Sequence, residues 1–246
     1  MTRILLVEDH PLVRCGVAQV LSAEPDLNVA GEASTAEEAL AAFDQVAPDL
    51  VIADISLPGI NGLELTKNLL VRQPDLLVLI LSRHDEDLYA ERSLRAGARG
   101  YVPKQAVVAE LVTAIRRVLK RGIHLSEDLK DRVLFSITLK GTSILDNPLD
   151  TLSDRELEVF EMTGRGLPTR EVSERLHLSV KTVDSYRSRI KMKLGYANGT
   201  ELIKHAVAWV EGERFDFAEA PTQSGTSPRQ AAAHTKPRTS SARRAA

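Results

Sequence analysis

The chain has 246 residues, enough for two small domains or one large one, and its 32 basic and 34 acidic side chains leave a formal net charge of -2. That balance excludes a polycation along its whole length; a single cysteine, Cys15, excludes a disulfide framework or a multi-cysteine zinc site, and the six histidines are scattered. No uncharged apolar run reaches the roughly 18 residues of a membrane span. The opening Ile4-Leu5-Leu6-Val7 meets acid at Glu8-Asp9, which is not a secretion signal, so the expected location is the cytoplasm.

The first 120 residues alternate short strands with helices. Ile4 to Val7 is a compact apolar run, and Pro11 opens a helix with Val13, Val17, Val20 and Leu21 on its apolar side. Leu27 to Gly31 reads as a weaker strand and Glu37 to Phe43 as a helix. Leu50 to Ile52 leads into Asp54, followed by a helix from about Gly62 to Val71. Leu76 to Leu81 is the strongest strand, a helix follows over about Asp87 to Ala96, and Gly97 and Gly100 bracket the turn into Tyr101-Val102. A last helix covers about Val107 to Leu119. Five apolar strands with intervening helices predict a doubly wound, parallel α/β sheet.

In such a sheet the crevice at the carboxyl ends of the strands is where ligands bind. Glu8 and Asp9 follow the first strand, Asp54 the third, Ser82 closes the fourth and Lys104 follows the fifth. Three carboxylates gathered there repel one another, so a hard divalent cation with oxygen ligands, Mg²⁺, is expected on Asp9 and Asp54, with Glu8 direct or through water. Lys104 adds a compact positive charge and Ser82 a hydroxyl, the parts needed to accept a phosphoryl group on a carboxylate. Asp54 is the favoured nucleophile because it ends a central strand. His10 has no partner spacing that makes it a base, and His84, two residues beyond Ser82, reads as a loop residue that tunes access to the crevice.

These pieces resemble the receiver domain of bacterial two-component response regulators. The resemblance rests on Leu5-Leu6-Val7-Glu8-Asp9-His10, the run from Asp54 to Gly62, Leu81-Ser82, and Gly100-Tyr101-Val102-Pro103-Lys104. It implies a flavodoxin-like strand order of 2-1-3-4-5 and phosphorylation of Asp54 by a sensor histidine kinase. It also implies Mg²⁺ on Glu8, Asp9 and Asp54, and sensing of the new charge by Ser82, Tyr101 and Lys104. The family's lysine is often followed by a cis proline; here Gln105 follows and Pro103 precedes.

The stretch 121–148 reads as a linker, with part of it helical in pattern, and the region beyond it as helices only. Ser153-Asp154-Arg155-Glu156 is a capping-box pattern that opens a helix through about Thr163. A second helix covers about Thr169 to Arg175; a three-residue turn, His177-Leu178-Ser179, leads to a third over about Val180 to Leu194, with Ser179 as its cap. A fourth runs from Gly199 or Thr200 to Val210. Helix, tight turn, helix is the arrangement that places its second member in the major groove of DNA.

The third helix buries Val183, Ile190 and Leu194 by spacing and carries Lys181, Arg187, Arg189, Lys191 and Lys193 against Asp184 alone. The basic residues are expected on phosphates, with hydroxyls of Ser179 and Thr182 nearby. Asp184, Ser185 and Ser188 are candidates for base edges. This region resembles the four-helix DNA-binding domain of LuxR-type, or NarL/FixJ-type, regulators. The similarity implies DNA contacts from Lys181, Asp184, Ser185, Arg187 and Ser188, and pairing of two subunits through the helix after Gly199.

The expected organisation is therefore a receiver (1–120), a linker (121–148), an all-α DNA-binding domain (149–214) and a disordered basic tail (215–246). The expected function is a transcriptional regulator of double-stranded DNA, switched by a histidine kinase, a homodimer when phosphorylated or DNA-bound, and no turnover enzyme. A kinase-independent DNA-binding regulator and a protein-interaction adaptor are the competing readings. A haloacid-type phosphatase is disfavoured because its second aspartate would stand at Ser56.

Overall fold

A computed structural model describes residues 1–84, 86–127, 129–130 and 148–211. The tail expected at 215–246 and most of the linker lie outside these residues. The strands are β1 (Thr2–Val7), β2 (Leu27–Ala33), β3 (Leu50–Ala53), β4 (Leu77–Ser82) and β5 (Gly100–Pro103), all parallel in the order β2-β1-β3-β4-β5. Helices α1 (Pro11–Ser22), α2 (Ala36–Val46), α3 (Gly62–Arg72), α4 (Glu86–Arg95) and α5 (Val107–Leu119) connect and follow them. The expected sheet and order are present.

Strand alternation sends successive side chains to opposite faces. Ile4, Leu6, Leu50, Ile52, Leu79 and Leu81 pack with α1 and α5 on one side, through Val17, Leu21, Leu111 and Ile115. Leu5, Val7, Val51, Ala53, Val78 and Ile80 pack on the other with Phe43, Leu63, Leu65 and Leu69 of α2 and α3. Because both faces are covered, the strands read as continuous apolar runs, and each fully buried Leu, Ile or Val contributes about 1.5–3 kcal/mol.

Helix starts follow local chemistry. Pro11 occupies the first turn of α1, while the Thr35 and Asn61 side chains accept from the backbone N–H of Glu38 and Glu64 to cap α2 and α3. Strand β2 runs two residues beyond the expected Gly31 because its register against β1 continues to Ala33. After α5 the chain turns back along β5: Tyr101 N–H donates to His124 O, and His124 N–H to Arg99 O, both at 3.0 Å.

After a 3-10 turn at Pro148–Thr151, the second region has four α-helices among the described residues: α6 (Asp154–Gly164), α7 (Thr169–Arg175), α8 (Val180–Leu194) and α9 (Gly199–Val210). Ser153 and Glu156 form the capping box at the start of α6, Ser179 caps α8, and Asn198 caps α9. Gly164 is the last residue of α6; its bare Cα lets the Ala206 carbonyl of α9 approach to where a Cβ would sit 2.1 Å away. His177, with φ of 52°, makes the left-handed turn between α7 and α8. The core of this region, including Leu157, Phe160, Val172, Val183 and Ile190, belongs to the same apolar cluster as the α2–α4 side of the sheet. No helix among the described residues is long and apolar enough to cross a membrane.

Candidate functional site

The carboxyl ends of β1, β3 and β5 bring the expected charges into one pocket. The Lys104 ammonium lies 2.7 Å from Glu8 Oε2 and 2.8 Å from Asp54 Oδ2. These side chains are only 6%, 1% and 2% exposed, so their ion pairs are poorly screened. Asp9 and His10 complete the rim, and one ligand atom from each of Glu8, Asp9, His10 and Asp54 lies within 4.8 Å of the others. Burial, followed by the negative charge of Asp54, pushes the Glu8 carboxyl above the usual range; Lys104 offsets this in part.

The acids and the lysine are held by backbone geometry. Asp54 N–H donates to Val7 O and Gly62 N–H to Ile55 O, which folds the loop after β3 back on itself. A Cβ at Gly62 would sit 1.9 Å from Asp54 O, so this position accepts only glycine without moving the strand end. At the rim, the Arg83 guanidinium donates to His10 Nε2 at 3.1 Å, which leaves Nδ1–H to donate to Asp9 Oδ1 at 2.6 Å. His10 thus orients Asp9. Hard carboxylate oxygens in a pocket with excess negative charge are a donor set that fits a divalent cation of the Mg²⁺ kind.

Ser82 and Tyr101 are both fully buried and meet at His84, the loop residue expected to tune access to the crevice. His84 N–H donates to Ser82 Oγ at 3.1 Å, and the Tyr101 hydroxyl donates to His84 O at 2.8 Å. The imidazole stacks on Tyr89 with ring centroids 4.4 Å apart. Its Nε2 lies 2.6 Å from Ser56 Oγ and its Nδ1 lies 2.7 Å from Glu161 Oε2 of α6.

That last contact belongs to a joint between the two regions. The Arg155 guanidinium donates to Leu57 O at 2.9 Å and Gly59 O at 2.8 Å, and pairs with Glu158, to which Asn61 Nδ2 donates at 3.2 Å. Tyr89 OH donates to Glu161 at 3.3 Å. From α4, Arg92 reaches Leu149 O, Leu152 O and Asp154 Oδ1 at 2.7, 3.0 and 3.1 Å, and Lys67 of α3 pairs with Asp154 at 3.2 Å.

Burial raises the Glu158 carboxyl, with Arg155 offsetting part of the effect. Burial also opposes charge on His84 and Glu161. Here the hydrogen bond and mutual attraction of the pair outweigh it, holding His84 above and Glu161 below the ordinary range.

On α8, Lys181, Asp184, Ser185, Ser188 and Arg189 are exposed, while Thr182, Arg187 and Lys191 are half-buried. Ser179, Lys181, Thr182, Ser185, Tyr186 and Arg189 line a shallow open groove, with the Arg189 guanidinium 5.8 Å from the Tyr186 ring centroid. Arg187 braces α7 by donating to Thr169 Oγ1 at 2.7 Å. The Ser179 and Thr182 hydroxyls face each other at 2.8 Å. Lys193, expected on a phosphate, instead donates to Thr151 O at 3.0 Å and pairs with Glu156 at 2.6 Å. Its position at the end of α8 puts it over the start of α6, where a carboxylate claims the charge.

Residues 4–116 match the family model described as response regulator receiver domain, and residues 150–206 match bacterial regulatory proteins, luxR family. The chain is 36% identical over 207 residues to the response regulator GacA of Pseudomonas aeruginosa, covering 84% of this chain and 96% of that one. It is 37% identical over 208 residues to the response regulator UvrY of Escherichia coli, covering 84% and 94%. A crystal structure of a two-component response regulator of the LuxR family from Aurantimonas is similar with a TM-score of 0.52 and 34% identity, over 56% of this chain and 99% of that one. With a receiver domain carrying the acidic pocket and a helix-turn-helix domain carrying the basic helix, the chain belongs to the response regulators with a LuxR-type DNA-binding domain.

Proposed function

We propose that Asp54 accepts a phosphoryl group from a sensor histidine kinase and that the modified chain, as a homodimer, regulates transcription from double-stranded DNA in the cytoplasm. The observation that carries this reading is the convergence of Glu8, Asp9, Asp54 and Lys104 in one buried pocket. An Asp54 carboxylate oxygen attacks phosphorus in line, and the bond to the donor nitrogen breaks. Lys104 lies close enough to Asp54 to offset charge on the transferred oxygens. Glu8, Asp9 and Asp54 would hold Mg²⁺, which supplies further neutralisation of those oxygens when bound. Ser82 and Tyr101 respond to the new charge through the backbone of His84, which both already touch.

In this reading residues 1–120 act as the receiver, 149–214 as the DNA-binding domain, 121–148 as the connection and 215–246 as a basic extension. Lys181, Arg187, Arg189 and Lys191 contact phosphates, with Thr182 near the helix start; Asp184, Ser185 and Ser188 face base edges. Helix α9 pairs two copies so that each reads one half-site. The protein stores a phosphoryl group and releases it slowly, without turning over a separate substrate. Phosphotransfer from a kinase or a small phosphodonor is expected to label the wild-type chain and to leave Asp54→Ala unlabelled. Full labelling of that variant defeats the assignment.

A further inference from the structure

We propose that Ser56, His84 and Glu161 form a proton relay that sets how long phosphate stays on Asp54, so that the DNA-binding domain supplies a positioning residue for the receiver's own dephosphorylation. The inference rests on Asp54 being the phosphoacceptor.

The three side chains lie in a line that crosses the domain boundary: Ser56 Oγ to His84 Nε2 is 2.6 Å, and His84 Nδ1 to Glu161 Oε2 is 2.7 Å. A hydroxyl, an imidazole and a carboxylate in that order make up a nucleophile or water activator, its base, and the group that orients the base. The hydroxyl stands two residues beyond Asp54 in the loop that follows β3, and its imidazole partner, bonded through its backbone to Ser82, is close enough to feel the Asp54 charge. The carboxylate is only 4% exposed and the imidazole 9%, so the pair is little weakened by solvent.

Glu161 fixes the tautomer. A carboxylate only accepts, so neutral His84 carries its proton on Nδ1 and presents the Nε2 lone pair to the Ser56 hydroxyl. Stacking on Tyr89 and the backbone bonds to Ser82 and Tyr101 hold the ring and its chain in place.

In the step itself a water oxygen bonds to phosphorus and the bond from phosphorus to the Asp54 oxygen breaks. The electron pair returns to the Asp54 carboxylate. The water proton passes to Ser56 Oγ as the Ser56 proton passes to His84 Nε2, and the products are inorganic phosphate and an imidazolium beside Glu161. Water is the co-reactant.

The charged and titratable groups that face His84 define its pH behaviour. Glu161 and Glu158 face it from α6, Asp54 from the end of β3, and the Tyr89 ring from α4. Arg165 and Arg155 sit behind the two glutamates, and Lys104 pairs with Asp54. The three acids favour the imidazolium. Proton acceptance by the relay therefore sets in as pH rises through a value above the ordinary histidine 6.5.

The experiment follows acyl-phosphate decay in the full-length chain with Mg²⁺, after labelling with a radioactive small phosphodonor, from pH 6 to 9. His84→Ala is expected to lengthen the lifetime about 10- to 100-fold above the pH of the rising limb, the scale of one general base. Glu161→Gln is expected to lengthen it roughly tenfold and to move the rising limb of the rate to lower pH, because the imidazolium loses its counter-charge. Ser56→Ala, which leaves the helical domain untouched, is expected to lengthen it as well. A wild-type chain that takes no label fails the phosphoacceptor reading itself. A chain that labels normally, and whose Glu161→Gln or Ser56→Ala variant decays at the wild-type rate across the pH range, overturns the relay.

Discussion

In the receiver, Glu8, Asp54 and Lys104 keep their charges in a pocket where none is more than 6% exposed, whereas Lys181, Asp184 and Arg189 carry theirs on the open side of α8. The joint at α6 resembles the first case and not the second, with Arg155, Glu158 and Glu161 all buried. Charges desolvated by the fold depend on specific partners, because a buried charge stripped of its partner is costly. Charges left in water need no individual partners and act as a field that salt weakens. The two regions should therefore respond to perturbation in different ways, sharply at buried pairs and gradually along the exposed helix.

The largest effect is expected at the joint. Arg155→Ala leaves the Glu158 carboxylate buried without its guanidinium, at a cost of about 3–5 kcal/mol to the docked arrangement. Small-angle scattering should show a longer maximum dimension than in the wild type; an unchanged profile argues against the joint. Alkaline pH acts in the same direction. His84 is held above its ordinary value of 6.5, so its contribution is present in full below that pH and is lost as pH rises through the raised value. The midpoint of thermal unfolding is thus expected to fall as pH rises through that value, the neutral pair keeping its hydrogen bond, and a midpoint that rises instead contradicts the His84–Glu161 pair.

Along α8 the changes are smaller. Lys181→Ala or Arg189→Ala should weaken binding to all duplexes similarly and reduce the slope of log affinity against log salt by about one. Lys193→Ala should leave that slope alone, because its ammonium is committed to Thr151 O and Glu156. Equal slopes for all three variants would erase the distinction. The smallest effect is expected for Ser153→Ala, which removes one half of the α6 capping box and costs about 1 kcal/mol. Thermal unfolding should register it as a drop of a few degrees.

The sheet and the pocket were legible because each polar residue stands immediately after an apolar run, at Glu8, Asp54, Ser82 and Lys104, and topology gathers strand ends. The capping residues Ser153 and Ser179 were equally plain, since their chemistry is local. The joint was not legible. Arg155, Glu158, Glu161 and Arg165 recur at three, three and four residues, a stripe of mixed charge that ordinarily marks a solvated helix face. The carbonyls of Leu57 and Gly59 and the side chains of Asn61, His84 and Tyr89, far away in sequence, turn the first three of these residues inward and leave Arg165 exposed. Lys193 was misread for a related reason: its helix suits DNA, but a long-range carboxylate reaches it first.

One arrangement bears on how a switch of this build operates. The receiver grips α6, yet the outward side chains of α8 stay in water throughout. The clasp is thus no shield over the reading helix, and letting go of it reveals no new hydrogen-bonding atoms there. Under the proposed function, what letting go would provide is latitude: in a dimer, each α8 could swing to a different separation and angle from its twin. A switch of that proposed kind would tune the grammar of paired half-sites, their spacing and orientation, rather than the vocabulary of bases each helix can recognise.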